Sequence, residues 1–165
     1  MTHRTDQLDL PAASLGTRRR LVVHRFGSSG ARPKAYLHAA LHAQELPGIV
    51  VLEHLVARLA EADAAGKITG EIIVVPFANP IGLSQQIMME AQGRYDLDTN
   101  RNYNRGFPDL IDEVIAAVDG NLTDDGEANI ALIRRAIGAA LTTRHDAREA
   151  DVLKLELLKL SHDAD

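Results

Sequence analysis

Residues 35–41 form an apolar run of strand length, Ile49, Leu52, Val56 and Leu59 recur at helical spacing, and residues 71–77 carry an Ile-Ile-Val-Val core. Strand, helix, strand in that order is a βαβ unit, because two strands that point the same way need a crossover between them. Pro47 stands where the first turn of a helix tolerates proline, and Gly66 closes the helical segment near residue 64. The second strand is apolar without alternation, as a strand covered on both faces should be. The fold class expected is therefore α/β, a mixed, partly parallel sheet flanked by helices.

The remaining chain is read around that unit. Residues 1–17 mix polar side chains with Pro11 and Gly16 and are expected to be an N-terminal arm of a single domain spanning 1–165. Residues 21–26 are a short strand, and the Gly-Ser-Ser-Gly-Ala-Arg-Pro segment at 27–33 reads as a turn, so strands 21–26 and 35–41 are expected to pair as a hairpin. From Asn79-Pro80 to Pro108 the chain is rich in Gly, Asn, Asp and Arg and lacks apolar periodicity, which marks a long functional loop. Leu110, Ile111, Val114, Ile115 and Val118 then predict a short helix stopped at Gly120. Asp-x-x-Glu capping patterns at Asp124 and Asp146 open two more helical stretches, to about Thr142 and Ser161, either as two helices or as one bent helix.

Charge and composition remove several function classes. A net charge of −5 without a long basic block argues against nucleic acid as a partner, and the Arg18-Arg19-Arg20 cluster is too short to change that. No run approaches the roughly 20 apolar residues of a membrane span, and the first residues lack a signal core, so a cytoplasmic location is expected. With no cysteine in the sequence, any metal must be held by His, Asp or Glu.

Two clusters could carry chemistry. His42 and Glu45, two residues apart on a strand-to-helix turn, can bring an imidazole nitrogen and a carboxylate oxygen onto one cation, for which zinc is suited. The spacing alone equally describes a half-buried histidine next to an acid favoured at a helix N-terminus. His3 with Asp6 and His162 with Asp165 show how easily similar spacings arise. The second cluster, Arg94, Asn100 and Arg101, offers guanidinium forks and an amide for a carboxylate, or else a solvated loop whose charges pair internally.

In combination, His42-x-x-Glu45, the strand leading into Asn79-Pro80 and Asp98-x-Asn100-Arg101 resemble the zinc carboxypeptidase superfamily, and more closely its succinylglutamate desuccinylase/aspartoacylase branch. The resemblance covers roughly residues 20–165 and implies a zinc carboxypeptidase-like fold. It also implies His42 and Glu45 as zinc ligands, Asn100 and Arg101 as the clamp on a substrate carboxylate, and Arg94 as an assisting arginine. The implied activity is zinc-dependent hydrolysis of the amide of an N-acyl amino acid or similar small carboxylate. Arg105 matches no family position.

The third metal ligand and the general-base glutamate of the family are expected beyond Asp165. His38, His145 and His162 each have a plainer explanation than metal binding. The expectation is thus a C-terminally incomplete chain, inactive by itself and inclined to self-associate. The alternatives are a metallocarboxypeptidase acting on peptide C-termini and a non-catalytic remnant that binds small carboxylates.

Overall fold

A computed structural model describes residues 2–165. Strands β1 (Arg4–Asp9), β2 (Arg20–Phe26), β3 (Lys34–His38) and β4 (Glu71–Val75) form one sheet in the order β1-β2-β4-β3. Helix α1 (Pro47–Ala64) carries the chain from β3 to β4, and these two strands run parallel, with Lys34 opposite Glu71 and His38 opposite Val75. The βαβ unit is therefore present, and the sheet is mixed because β1/β2 and β2/β4 are antiparallel.

Alternation along β4 distributes its side chains between two cores. Val74 joins Phe26, Ala39 and Leu52 beneath α1, with Ile72 packed against that cluster. Ile73 and Val75 face the other way, joining Leu21, Val23 and the helix α5 (Glu149–Ser161) through Leu153, Leu157 and Leu160. Successive residues of a strand point to opposite faces, so a central strand needs apolar side chains at every position. The result is three layers, helix on sheet on helix.

Two expectations are corrected. The strand at 21–26 does not form a hairpin with the strand at 35–41; β4 lies between them. The 27–33 segment instead straddles the start of β4. A Cβ on Gly27 (φ +80°) would stand 1.8 Å from the Gly70 carbonyl oxygen, and one on Gly70 would stand 2.0 Å from that of Pro33, so both glycines are needed for the backbones to pass. The expected N-terminal arm contains β1, which pairs along its whole length with β2. Its residues are mostly exposed, as an edge strand's are, and its polar composition hides it in the sequence.

The long loop is partly built. It holds the one-turn helix α2 (Pro80–Leu83) and a small hairpin of β5 (Gln86–Ile87) with β6 (Glu90–Ala91). Helix α3 (Ile111–Val118) ends before Gly120, as expected, and packs on α4 (Gly126–Thr143). Asp125, not Asp124, caps α4 by accepting the Glu127 and Ala128 amides. Arg144 and Arg148 are extended, so α4 and α5 are two separate helices. No helix among the described residues is long and apolar enough to cross a membrane.

Candidate metal centre

The C-terminal ends of the two parallel strands are tied to each other, and the candidate site grows out of that tie. Ala39 N–H donates to the Val75 carbonyl at 3.1 Å and Ala78 N–H returns a bond to the Ala39 carbonyl at 2.9 Å. At Ala40 the backbone enters the left-handed region (φ +56°), which ends β3 at His38, earlier than the apolar run suggests. Crevices at the carboxyl ends of parallel strands are where open α/β sheets bind ligands.

Asn79 holds the turn that follows. Its side chain is fully buried, donates from Nδ2 to the Leu41 carbonyl at 2.9 Å and accepts the Gly82 amide at 2.8 Å. On the other side, Ala43 N–H donates to the Gly93 carbonyl at 2.8 Å. A Cβ on Gly93 would lie 2.6 Å from the Ala43 Cβ and 2.7 Å from the Gln44 nitrogen. Only glycine lets the segment bearing Arg94 press against the His42 turn so closely.

His42 Nδ1 faces Glu45 Oε1 at 3.1 Å, and Arg94 Nη2 donates to the same carboxylate oxygen at 2.9 Å. The other ring nitrogen, Nε2, lies 2.8 Å from Asn102 Oδ1. That oxygen also accepts the backbone N–H of Asn104 at 2.8 Å, which fixes it as an acceptor and makes Nε2 of His42 the donor. In the neutral ring the Nδ1 lone pair then points at Glu45. Two acceptors at that separation require a cation between them, either a proton or a metal ion. Donors bound about 2.0–2.2 Å from a tetrahedral zinc stand roughly 3 Å apart, so the pair fits that ion. The His42 side chain is 10% exposed and that of Glu45 57%, leaving the carboxylate side open to solvent.

Of the residues singled out from the sequence, His42, Glu45 and Arg94 are brought together. Among the described residues, Asn100 and Arg101 form no side-chain hydrogen bond or ion pair with that trio. Asn100 sits in the left-handed conformation (φ +56°), with its N–H on the Asp96 carbonyl at 2.7 Å, a turn role that asparagine tolerates well. Arg101 lines a separate cavity beside α5. Asn102 was missed. The run Asn100-Arg101-Asn102-Tyr103-Asn104-Arg105 contains two Asn-Arg pairs four residues apart, and nothing in the sequence says which register meets His42.

None of the three further histidines joins the pair. His38 stands beside Tyr36 with ring centroids 5.4 Å apart, His145 is exposed, and His162 Nδ1 meets the Lys159 carbonyl at 3.1 Å. No group of three or more metal-binding side chains occurs among the described residues.

The sequence model of the succinylglutamate desuccinylase/aspartoacylase catalytic domain matches residues 31–147, which include both strands of the βαβ unit and the whole centre. The chain belongs to the succinylglutamate desuccinylase/aspartoacylase family. Solved relatives carry the same fold. A succinylglutamate desuccinylase/aspartoacylase family protein from Shewanella amazonensis SB2B superposes with a TM-score of 0.83 at 25% identity, over 98% of this chain and 44% of that one. A provisionally assigned succinylglutamate desuccinylase/aspartoacylase from Shewanella frigidimarina NCIMB 400 gives 0.80 at 24% identity, over 100% of this chain and 45% of that one. This family member thus spans less than half the length of the structures it matches. No functionally curated protein matches it.

Proposed function

We propose that His42 and Glu45 are metal ligands of a zinc-dependent deacylase that cleaves the amide of an N-acyl amino acid. The observation that carries the reading is the 3.1 Å approach of His42 Nδ1 to Glu45 Oε1, with the opposite ring nitrogen fixed as a donor by Asn102. Histidines that bind metals habitually donate their second N–H to an oxygen, which sets the tautomer and the ring orientation. Asn102 does both here.

Zinc bound at such a centre polarises an acyl carbonyl and lowers the pKa of a bound water. The residues of this chain supply position. Asn102 holds the imidazole in plane, and Gly93 seats the Arg94 segment on the turn. Arg94 spends one of its five donors on Glu45 and keeps the others for a ligand oxygen. We assign Arg94 the contact with the substrate at the metal centre. Asn100 and Arg101, the clamp implied by resemblance, lie on the turn closed by the Tyr95–Asn102 bridge, and Arg101 lines the cavity beside α5 rather than the His42 pair. Two ligands leave coordination positions to be filled by water, substrate or groups outside the pair, so zinc should be held more weakly than in a three-ligand site.

The test is metal content together with hydrolysis. The purified chain, loaded with zinc and desalted, should bind zinc in a His42-dependent way, and His42→Ala should abolish it. Hydrolysis of N-acyl amino acids by any active form should fall to background in Glu45→Gln. Zinc content unchanged by His42→Ala would remove the pair from the metal site.

A further inference from the structure

A second pair of ligating side chains meets toward the other edge of the sheet. His3 Nε2, immediately before β1, lies 3.4 Å from His24 Nδ1 on β2, and Thr5 Oγ1 of β1 lies 3.3 Å from the same nitrogen. Strand β4 stands between β2 and β3, and the His42 turn follows β3, so this pair shares no strand or turn with the metal centre.

Both rings are positioned from behind. The His3 amide donates to Asp63 Oδ2 at 3.0 Å, as the Thr2 amide does at 2.7 Å. The His3 ring stacks on the buried Phe26, with centroids 4.3 Å apart and planes 14° apart. His24 is set in the ladder between Thr5 and Val74 and shares a face with Phe26, which packs beneath α1. From that helix the Glu53 carboxylate is near enough to favour positive charge at His24.

The separation of the two nitrogens distinguishes a metal pair from a hydrogen bond. Hydrogen bonds from N–H donors close to about 2.7–3.2 Å. The observed 3.4 Å lies beyond that range. Two imidazole nitrogens bound at about 2.0–2.1 Å to one tetrahedral zinc stand about 3.3–3.4 Å apart. Burial and the facing His3 lower the pKa of His24, against the pull of Glu53, so its ring is neutral near pH 7 and has a lone pair to give.

We propose that His3 and His24 form a binding site for a divalent ion of the zinc type, completed by water, that ties the start of β1 to β2. Imidazole suits such ions, whereas magnesium and calcium take oxygen ligands. The site is independent of the His42 and Glu45 centre. Two neutral ligands without a carboxylate hold the ion in equilibrium with free metal and release it on desalting, so zinc kept through desalting reports the His42 centre alone.

Calorimetric titration of zinc into the desalted His42→Ala chain tests it, so that the outcome does not depend on the His42 centre. One equivalent should bind, His3→Gln and His24→Gln added singly should each weaken that binding tenfold or more, and magnesium should not bind. Zinc should also raise the thermal midpoint of the His42→Ala chain, because an ion that binds only the folded state stabilises it, and the rise should be absent from both further variants. His3 is exposed and precedes β1, so His3→Gln leaves the sheet intact and decides the matter alone if His24→Gln does not fold. No binding at millimolar zinc, binding left unchanged by either one of the substitutions, or equal binding of magnesium would overturn the assignment.

Discussion

Asn102 accepts the Nε2–H of His42 at 2.8 Å from a position 60 residues further along the chain, and the same oxygen takes the Asn104 amide. The imidazole is thereby oriented by the loop that also delivers Arg94.

If His42 and Glu45 hold zinc as proposed, removing that oxygen should loosen the metal without removing a ligand. Outer-shell partners of metal-bound histidines typically contribute about 10–100-fold to affinity. Asn102→Ala should therefore weaken zinc binding by about that factor while His42→Ala abolishes it, as read by competition against a chromophoric chelator. An Asn102→Ala affinity equal to that of the parent would take Asn102 out of the centre.

Gly93 is the second lever. An added Cβ would meet Ala43 and the Gln44 backbone at 2.6–2.7 Å, and backbone cannot swing aside as a long side chain can. Gly93→Ala should cost about 1–3 kcal/mol in urea unfolding, the usual range for overpacking, and should also lower zinc affinity by displacing Arg94. Gly126→Ala, where a Cβ meets nothing within 4 Å, is the control and should lie within about 0.5 kcal/mol of the parent.

Lys154, only 3% exposed on α5 and with its pKa lowered chiefly by burial, should show the opposite sign. Methionine matches its length and carries no charge to desolvate, so Lys154→Met should stabilise the fold by about 1–2 kcal/mol. A raised thermal midpoint would mark the lysine as kept at the expense of stability. A lowered one would mean that its ammonium has partners supporting the fold.

Asp165 predicts an acid sensitivity. The Lys34 amide donates to its carboxylate at 2.7 Å, Arg134 at 2.9 Å and Arg32 at 3.1 Å, and together they pull its pKa from an ordinary 3.8 down to about 2. A depressed carboxylate pKa stabilises the fold above the unfolded value and ceases to do so as pH falls through the folded one. The parent should therefore lose stability between about pH 4 and pH 2 more steeply than Asp165→Asn, measured as the shift in urea midpoint at the two ends of that window.

What was legible in the sequence was whatever a single segment could announce. The βαβ unit is visible because α1 and the apolar core of β4 each carry their own periodicity, and His42 and Glu45 are visible because they are neighbours on one turn. Pairing between distant segments was not. β2 finds β4 with all of β3 and α1 between them in sequence, while the glycine-rich 27–33 stretch looks like a hairpin turn until the crossing at Gly27 and Gly70 is seen. Strand β1 announces nothing, since Arg-Thr-Asp-Gln-Leu-Asp has one large apolar residue, and it is a strand only because β2 offers it an edge. Asn100 and Asn102 are chemically identical, and only the turn that places Asn100 in the left-handed region decides which of them reaches His42.

The Asn79 side chain has a consequence for how a ligand would be met. Because it bonds both the Leu41 carbonyl and the Gly82 amide from a fully buried position, the His42 turn is shaped by the same cooperative event that assembles the sheet. Little backbone entropy remains to be lost there when a ligand arrives. Recognition at this turn should behave as docking onto a rigid surface, with differences among ligands appearing in how fast they leave rather than in how fast they arrive.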